Sequence, residues 1–114
     1  MRRRSLEEKY RGKLPLLRKW RSIARSLAMV IKKLYPEAEV YLIGGAAEGR
    51  ITVNSDIDIA VVFNRDLSRR DRVEILARIW EAADVVTPMH YPLELHILTP
   101  RELARLKGRK VKLS

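Results

Sequence analysis

The chain has 114 residues, 46% of them hydrophobic, with 24 Lys/Arg against 14 Asp/Glu and a net charge of +10. That apolar share sustains one packed domain and argues against a chain that is basic and disordered throughout. With no cysteine, a disulfide framework, a thiolate metal site and a cysteine nucleophile are all excluded.

No apolar run approaches the roughly 18 residues of a membrane span, so the chain reads as soluble and cytoplasmic, with no membrane partner. Its charge is unevenly spread: net +10 over residues 1–35, −5 over 36–98 and +5 over 99–114. An acidic middle between basic ends suits cations at the centre, with a polyanion such as a nucleotide, an RNA or an acidic partner drawn in at the flanks. A solvated basic surface is the alternative for the N-terminal arm.

Residues 1–13 are charge-dense and lack apolar periodicity, and are read as a basic arm ahead of a single domain over 14–114. From Leu14 onward Leu17, Trp20, Ile23, Leu27, Ile31 and Leu34 recur at three- and four-residue steps, which predicts an amphipathic helix ended by Tyr35-Pro36. Val40 to Ile43 reads as a short strand stopped by Gly44-Gly45. Ile57 to Phe63 reads as a second strand, buried on most of both faces. Ser68 followed by Asp71 is an N-cap signal for a helix with Val73, Leu76, Ile79, Trp80 and Ala83 at helical spacing. Both Trp20 and Trp80 are assigned to the core. After a loop with two prolines, Leu93 to Leu98 alternates as a third strand, and Thr99-Pro100-Arg101-Glu102 is a capping box that opens a short last helix. The expected order is α-β-β-α-β-α: an α+β fold with a small mixed β-sheet packed against helices.

Asp56 and Asp58 stand at i and i+2 on the second strand, on one face and about 7 Å apart along the backbone. Opening an otherwise apolar strand with two acids is costly unless they face solvent, pair with cations or bind metal. Glu94 interrupts the third strand and completes a three-carboxylate cluster if that strand neighbours the second; otherwise it is an edge-strand charge. Hard oxygen donors of this kind suit Mg²⁺ or Mn²⁺. His96 lies two residues on from Glu94, where it orients Glu94, contacts nucleotide or is a hydrogen-bonded strand histidine. His90 and Tyr91 offer a surface for base stacking or pack within their loop. Ser55 fixes the strand start through a turn hydrogen bond. Arg69, Arg70 and Arg72 are solvated surface or acceptor contacts.

Gly44-Gly45-Ala46-Ala47-Glu48-Gly49, five residues, then Ser55-Asp56-Ile57-Asp58 resembles the G-S-x-x-x-G…S-D-x-D signature of nucleotidyltransferases of the DNA polymerase β superfamily. The element order is similar to that of the minimal (MNT-type) members. The resemblance implies that Gly44 and Gly45 form the phosphate turn, with Arg50 and Ser55 also touching nucleotide. It implies that Asp56, Asp58 and Glu94 are the metal ligands and the catalytic acids. Gly45 stands where serine is usual, Ala46 and Glu48 stand where basic residues are common, and Glu94 replaces the more frequent aspartate.

The implied activity is metal-dependent transfer of an NMP from an NTP, ATP first among them, to a hydroxyl acceptor, with two Mg²⁺ or Mn²⁺ ions. The implied partner is a helical HEPN-type protein, nucleotidylated in an antitoxin-like role, or a second copy of the chain. RNA is a further candidate through the basic flanks. The rival expectation is a catalytically degenerate module that keeps the fold and docks a protein or RNA; Gly45, Ala46 and Glu48 favour it.

Overall fold

The computed structural model describes residues 19–50, 56–87 and 92–114. The expected arm boundary at residue 13, Leu14, Leu17, Ser55, His90 and Tyr91 lie outside the described residues.

Helix α1 spans Trp20–Leu34, with Ile23, Ala24, Leu27, Ala28 and Ile31 buried along one stripe. Lys32 and Lys33 lie in its last turn, where cations complement the carbonyl end of the helix. The Tyr35 N–H closes the helix on the Ile31 carbonyl at 2.8 Å. The Tyr35 ring then meets Phe63 edge-on, with centroids 5.3 Å apart. Leu34, which the periodicity assigns to the stripe, is 43% exposed at the point where the chain leaves the helix.

The expected elements are present, with two additions. Strand β1 (Glu39–Ile43) runs into a single helical turn, α2 (Gly44–Ala47), where the sequence suggested only a glycine-rich turn. Strand β2 (Ile57–Val62), helix α3 (Arg69–Ala83), strand β3 (Leu93–Leu98) and helix α4 (Pro100–Arg105) follow, and a two-residue strand β4 (Val111–Lys112) is added near the C-terminus. The expected capping box at Thr99 forms, and the N-cap signal at Ser68 is a second one. The Asp71 N–H donates to the Ser68 hydroxyl and the Ser68 N–H to the Asp71 carboxylate; Thr99 and Glu102 repeat the pattern.

The four strands form one sheet in the order β3-β2-β1-β4. Strand β1 is antiparallel to both β2 and β4, while β2 and β3 run parallel. Helices α1 and α3 cover one face, burying Ile57, Ile59, Val61 and Phe63 from β2 and its continuation with Leu95 and Ile97 from β3. On the other face Ile43, Ala60 and Val62 pack with Tyr41, Leu98 and Leu103, the last from α4. Among the described residues the helix on this face is α4, which packs near Val62 and Leu98. Toward the opposite end, where β2 and β3 begin, this face carries the partly exposed Asp58, Glu94 and His96.

One assignment requires correction. Trp80 was placed in the core and is 37% exposed, and Val73 on the same expected stripe is 62% exposed. The buried stripe of α3 is Ile75, Ile79 and Ala83. At 3.6 residues per turn Trp80 and Val73 lie about 100° and 120° around the helix from Ile79, beyond the arc that the sheet covers. From the first turn of the same helix, Arg72 donates to the Ile97 carbonyl at 2.9 Å and pairs with Glu102 at 2.8 Å, tying α3, β3 and α4 together. No described helix is long and apolar enough to cross a membrane.

Candidate active site

The glycine pair is shaped by what it touches. Gly44 has φ +69°, in the left-handed region that penalises side chains, and a Cβ built there would lie 2.6 Å from Asp58 Oδ2. Glycine is therefore the residue that lets the turn close against the β2 carboxylate. A Cβ on Gly45 would meet the Arg50 carbonyl oxygen at 2.9 Å. The loop closes on itself there, with the Arg50 N–H donating to the Gly45 carbonyl at 2.8 Å and the Glu48 N–H to the same oxygen at 3.1 Å. Serine, usual at this position in the resembling motif, has no room without a backbone shift.

The parallel register sets Asp58 directly opposite Glu94 and Ala60 opposite His96. All three polar side chains project from the same face. His96 Nε2 lies 3.1 Å from Asp58 Oδ1 and 3.9 Å from Glu94 Oε1. With the ring proton on Nε2 the shorter contact is a hydrogen bond to the carboxylate, and the other tautomer leaves the Nε2 lone pair free to serve a cation. One donor atom from each of Asp58, Glu94 and His96 falls within 4.8 Å of the others. Their side chains are 25%, 55% and 34% exposed, so an ion has access from solvent. Two carboxylate oxygens and one imidazole nitrogen are a donor set that a divalent cation accepts.

Asp56 is exposed and stands immediately before β2, where the parallel ladder begins with the Ile57 N–H donating to the Pro92 carbonyl at 2.7 Å. The two-residue period puts it on the Asp58 face, outside the trio of converging donors.

Positive charge at the rim of the turn is arranged differently from the simplest expectation. Arg50 is exposed and its guanidinium pairs with Glu48. That pairing, with the Arg109 N–H adding a hydrogen bond, holds the Glu48 carboxyl below its ordinary range. Gly108, at φ +91°, sits close to Glu48 as well, for a Cβ on it would lie 3.1 Å from Glu48 Oε1. The basic C-terminal segment is thereby fastened beside the glycine turn. The sequence offered one clue to this, the apolar alternation of Val111 and Leu113 after Gly108. Lys112, one of the basic residues of this segment, lies in β4 and pairs with Glu39 at 3.0 Å.

The nucleotidyltransferase domain model matches residues 24–113. A candidate nucleotidyltransferase from Sulfolobus solfataricus superposes with a TM-score of 0.60 at 26% identity, over 80% of this chain and 76% of that one. A second candidate nucleotidyltransferase gives 0.57 at 30% identity, over 75% of this chain and 91% of the other. A chain of the complex between the tri-AMPylated HEPN toxin of Shewanella oneidensis and MNT antitoxin shares the fold, with a TM-score of 0.50 at 19% identity over 82% of this chain and 71% of that one. No curated protein matches the sequence.

Proposed function

Because this chain belongs to the nucleotidyltransferase domain family, we propose that it transfers a nucleoside monophosphate from a nucleoside triphosphate to a hydroxyl acceptor and releases pyrophosphate. One observation carries the reading: the parallel, in-register pairing of β2 and β3 that stands Asp58 beside Glu94, with the Gly44 turn against the same carboxylate.

In the transfer, the acceptor oxygen bonds to the α-phosphorus as the bond from that phosphorus to the α–β bridging oxygen breaks. Pyrophosphate leaves with that oxygen, and the hydroxyl proton passes to the Glu94 carboxylate. Two Mg²⁺ or Mn²⁺ ions, when bound with the triphosphate, would supply positive charge against that building on the phosphates. Asp56 and Asp58 would hold the cations and Glu94 would complete the set. The Gly44-Gly45 turn receives the phosphates with Arg50 at its rim, and Ser55 is a further nucleotide contact that the motif implies. Catalysis on this scheme is positioning and electrostatics, the modes that phosphoryl transfer demands most.

A partner protein is the acceptor class this reading favours. The Shewanella oneidensis complex pairs MNT antitoxin with a HEPN toxin that carries AMP groups, which makes ATP the first donor and a small helical protein the first acceptor to test. A docking module without catalysis is the second reading. It is favoured by the crowding that excludes a serine at Gly45 and by the pairing of Arg50 with Glu48.

The test is thermal unfolding with Mg²⁺ or Mn²⁺ plus each NTP, for the wild type and for Asp58→Asn/Glu94→Gln. Ligand at 100 times its dissociation constant stabilises by about 2.7 kcal/mol, a readily measured shift. A metal-dependent shift that the double variant loses supports the enzyme reading. No shift at millimolar NTP with either metal would sink it in favour of the docking module.

A further inference from the structure

The polymerase-type reading calls for carboxylates alone, yet the third donor that converges on Asp58 is an imidazole. We propose that His96 is itself a ligand of the divalent cation, and that the mixed Asp58–Glu94–His96 set selects first-row transition ions such as Mn²⁺ over Mg²⁺. The inference rests on the metal-dependent reading above and deepens it.

Three observations converge on it. First, the spacing fits an ion. Bonds of about 2.1–2.2 Å put adjacent donors of an octahedral ion about 3.0 Å apart and opposite donors about 4.3 Å apart. His96 Nε2 sits 3.1 Å from one Asp58 oxygen and 3.9 Å from a Glu94 oxygen, inside that range.

Second, the two oxygens of Asp58 are divided between two neighbourhoods. Oδ2 abuts the Gly44 turn, while Oδ1 faces His96. A carboxylate disposed in this way can serve one cation from each oxygen. The Oδ2 side belongs to the phosphate turn. The Oδ1 side is shared with Glu94 and His96, so the nitrogen enters the coordination sphere next to the acceptor carboxylate.

Third, the register makes room. His96 stands opposite Ala60, whose methyl leaves the ring free to lean along the strands toward Asp58. A larger residue at position 60 would fill that space.

Chemistry supplies the selectivity. Mg²⁺ is hard, keeps its waters and takes oxygen; Mn²⁺ also favours oxygen but begins the first-row series whose affinity for mixed nitrogen and oxygen sites rises toward Cu²⁺, so a nitrogen donor costs it less. One nitrogen among the donors therefore tilts the site from Mg²⁺ toward the transition series.

The experiment loads the full chain with Mn²⁺ alone and records pulsed EPR of the bound ion, which reads directly whether a ¹⁴N nucleus is coordinated. Isothermal titrations with Mn²⁺ and with Mg²⁺ accompany it, for the wild type and His96→Gln. The expected result is a directly bonded ¹⁴N coupling in the wild type, absent in His96→Gln. Mn²⁺ affinity should fall about tenfold or more in the variant, while Mg²⁺ affinity changes far less. Bound Mn²⁺ with no nitrogen coupling in the wild type would overturn the ligand role and leave the enzyme reading standing. A coupling that persists unchanged in His96→Gln would assign the nitrogen elsewhere and overturn it equally. Failure of the wild type to bind Mn²⁺ at all would overturn both.

Discussion

Gly44→Ala isolates the contact on which the site geometry turns. The substitution holds a side chain at φ +69°, which costs about 1–2 kcal/mol for an L-residue in the left-handed region. The new methyl also falls 2.6 Å from Asp58 Oδ2, too close to tolerate. Relief comes by turning Asp58 away, which breaks its 3.1 Å bond to His96, a net loss of about 1 kcal/mol. The whole change should therefore cost about 2–3 kcal/mol. In an Asp58→Ala background the clash has no partner and only the backbone penalty remains. The two substitutions should thus couple by about 1 kcal/mol, as contacting residues do. Urea unfolding of the four proteins without metal measures the cycle. For a domain near this size each kcal/mol is worth about 4–8 °C in melting temperature, so thermal melts give an independent check. Equal losses from Gly44→Ala in both backgrounds would refute the close approach of turn and carboxylate.

Two further outcomes follow from the same geometry. Gly45→Ser restores the residue usual in the motif, yet its Cβ would press on the Arg50 carbonyl at 2.9 Å. It should destabilise by about 1–3 kcal/mol and leave nucleotide-induced melting shifts no larger than in the wild type; a stable variant with tighter NTP binding would contradict this. The helix caps should contribute to acid sensitivity. The Ser68 N–H holds the Asp71 carboxyl below its ordinary range, and the Thr99 N–H with Arg72 does the same for Glu102. A depressed folded-state value means that this stability is complete above the ordinary carboxylate range and is lost as pH falls through the lowered values. Asp71→Asn/Glu102→Gln should therefore be less stable near neutrality and show a shallower loss in acid; an acid limb identical to the wild type would count against the caps.

Most of the architecture was legible because its signals are local. Ser68 with Asp71 and Thr99 with Glu102 announce helix starts through hydrogen bonds that span three residues, and both boxes form. The alternation Leu93-Glu94-Leu95-His96 fixes which side chains share a face whatever lies next to the strand. What the sequence could not supply was adjacency. Whether β3 lies beside β2, and in which register, depends on a crossover through α3, so the facing of Asp58 and Glu94 became visible only in the fold. The bond from His96 to Asp58 hides for the same reason, since the two are 38 positions apart. Short-range rules also overreached. The apolar spacing of α3 swept Trp80 into the core because periodicity gives the direction of a stripe but not its width. Strand β4, only two residues long, carried too little pattern to stand out from a basic tail.

Arg72 has a consequence for the way the molecule meets its neighbours. Among the described residues the sheet ends at β3, and odd-numbered carbonyls along that strand point away from β2, toward the outside. A bare row of such groups is a template on which a foreign strand can zip, the first step toward aggregation. The guanidinium of Arg72 occupies the Ile97 carbonyl and is itself held by Glu102, so an incoming strand would find that acceptor taken and a fixed positive charge in its path. The outer margin of the sheet is thus closed at the Ile97 end, which steers contacts with other chains toward surfaces built of side chains.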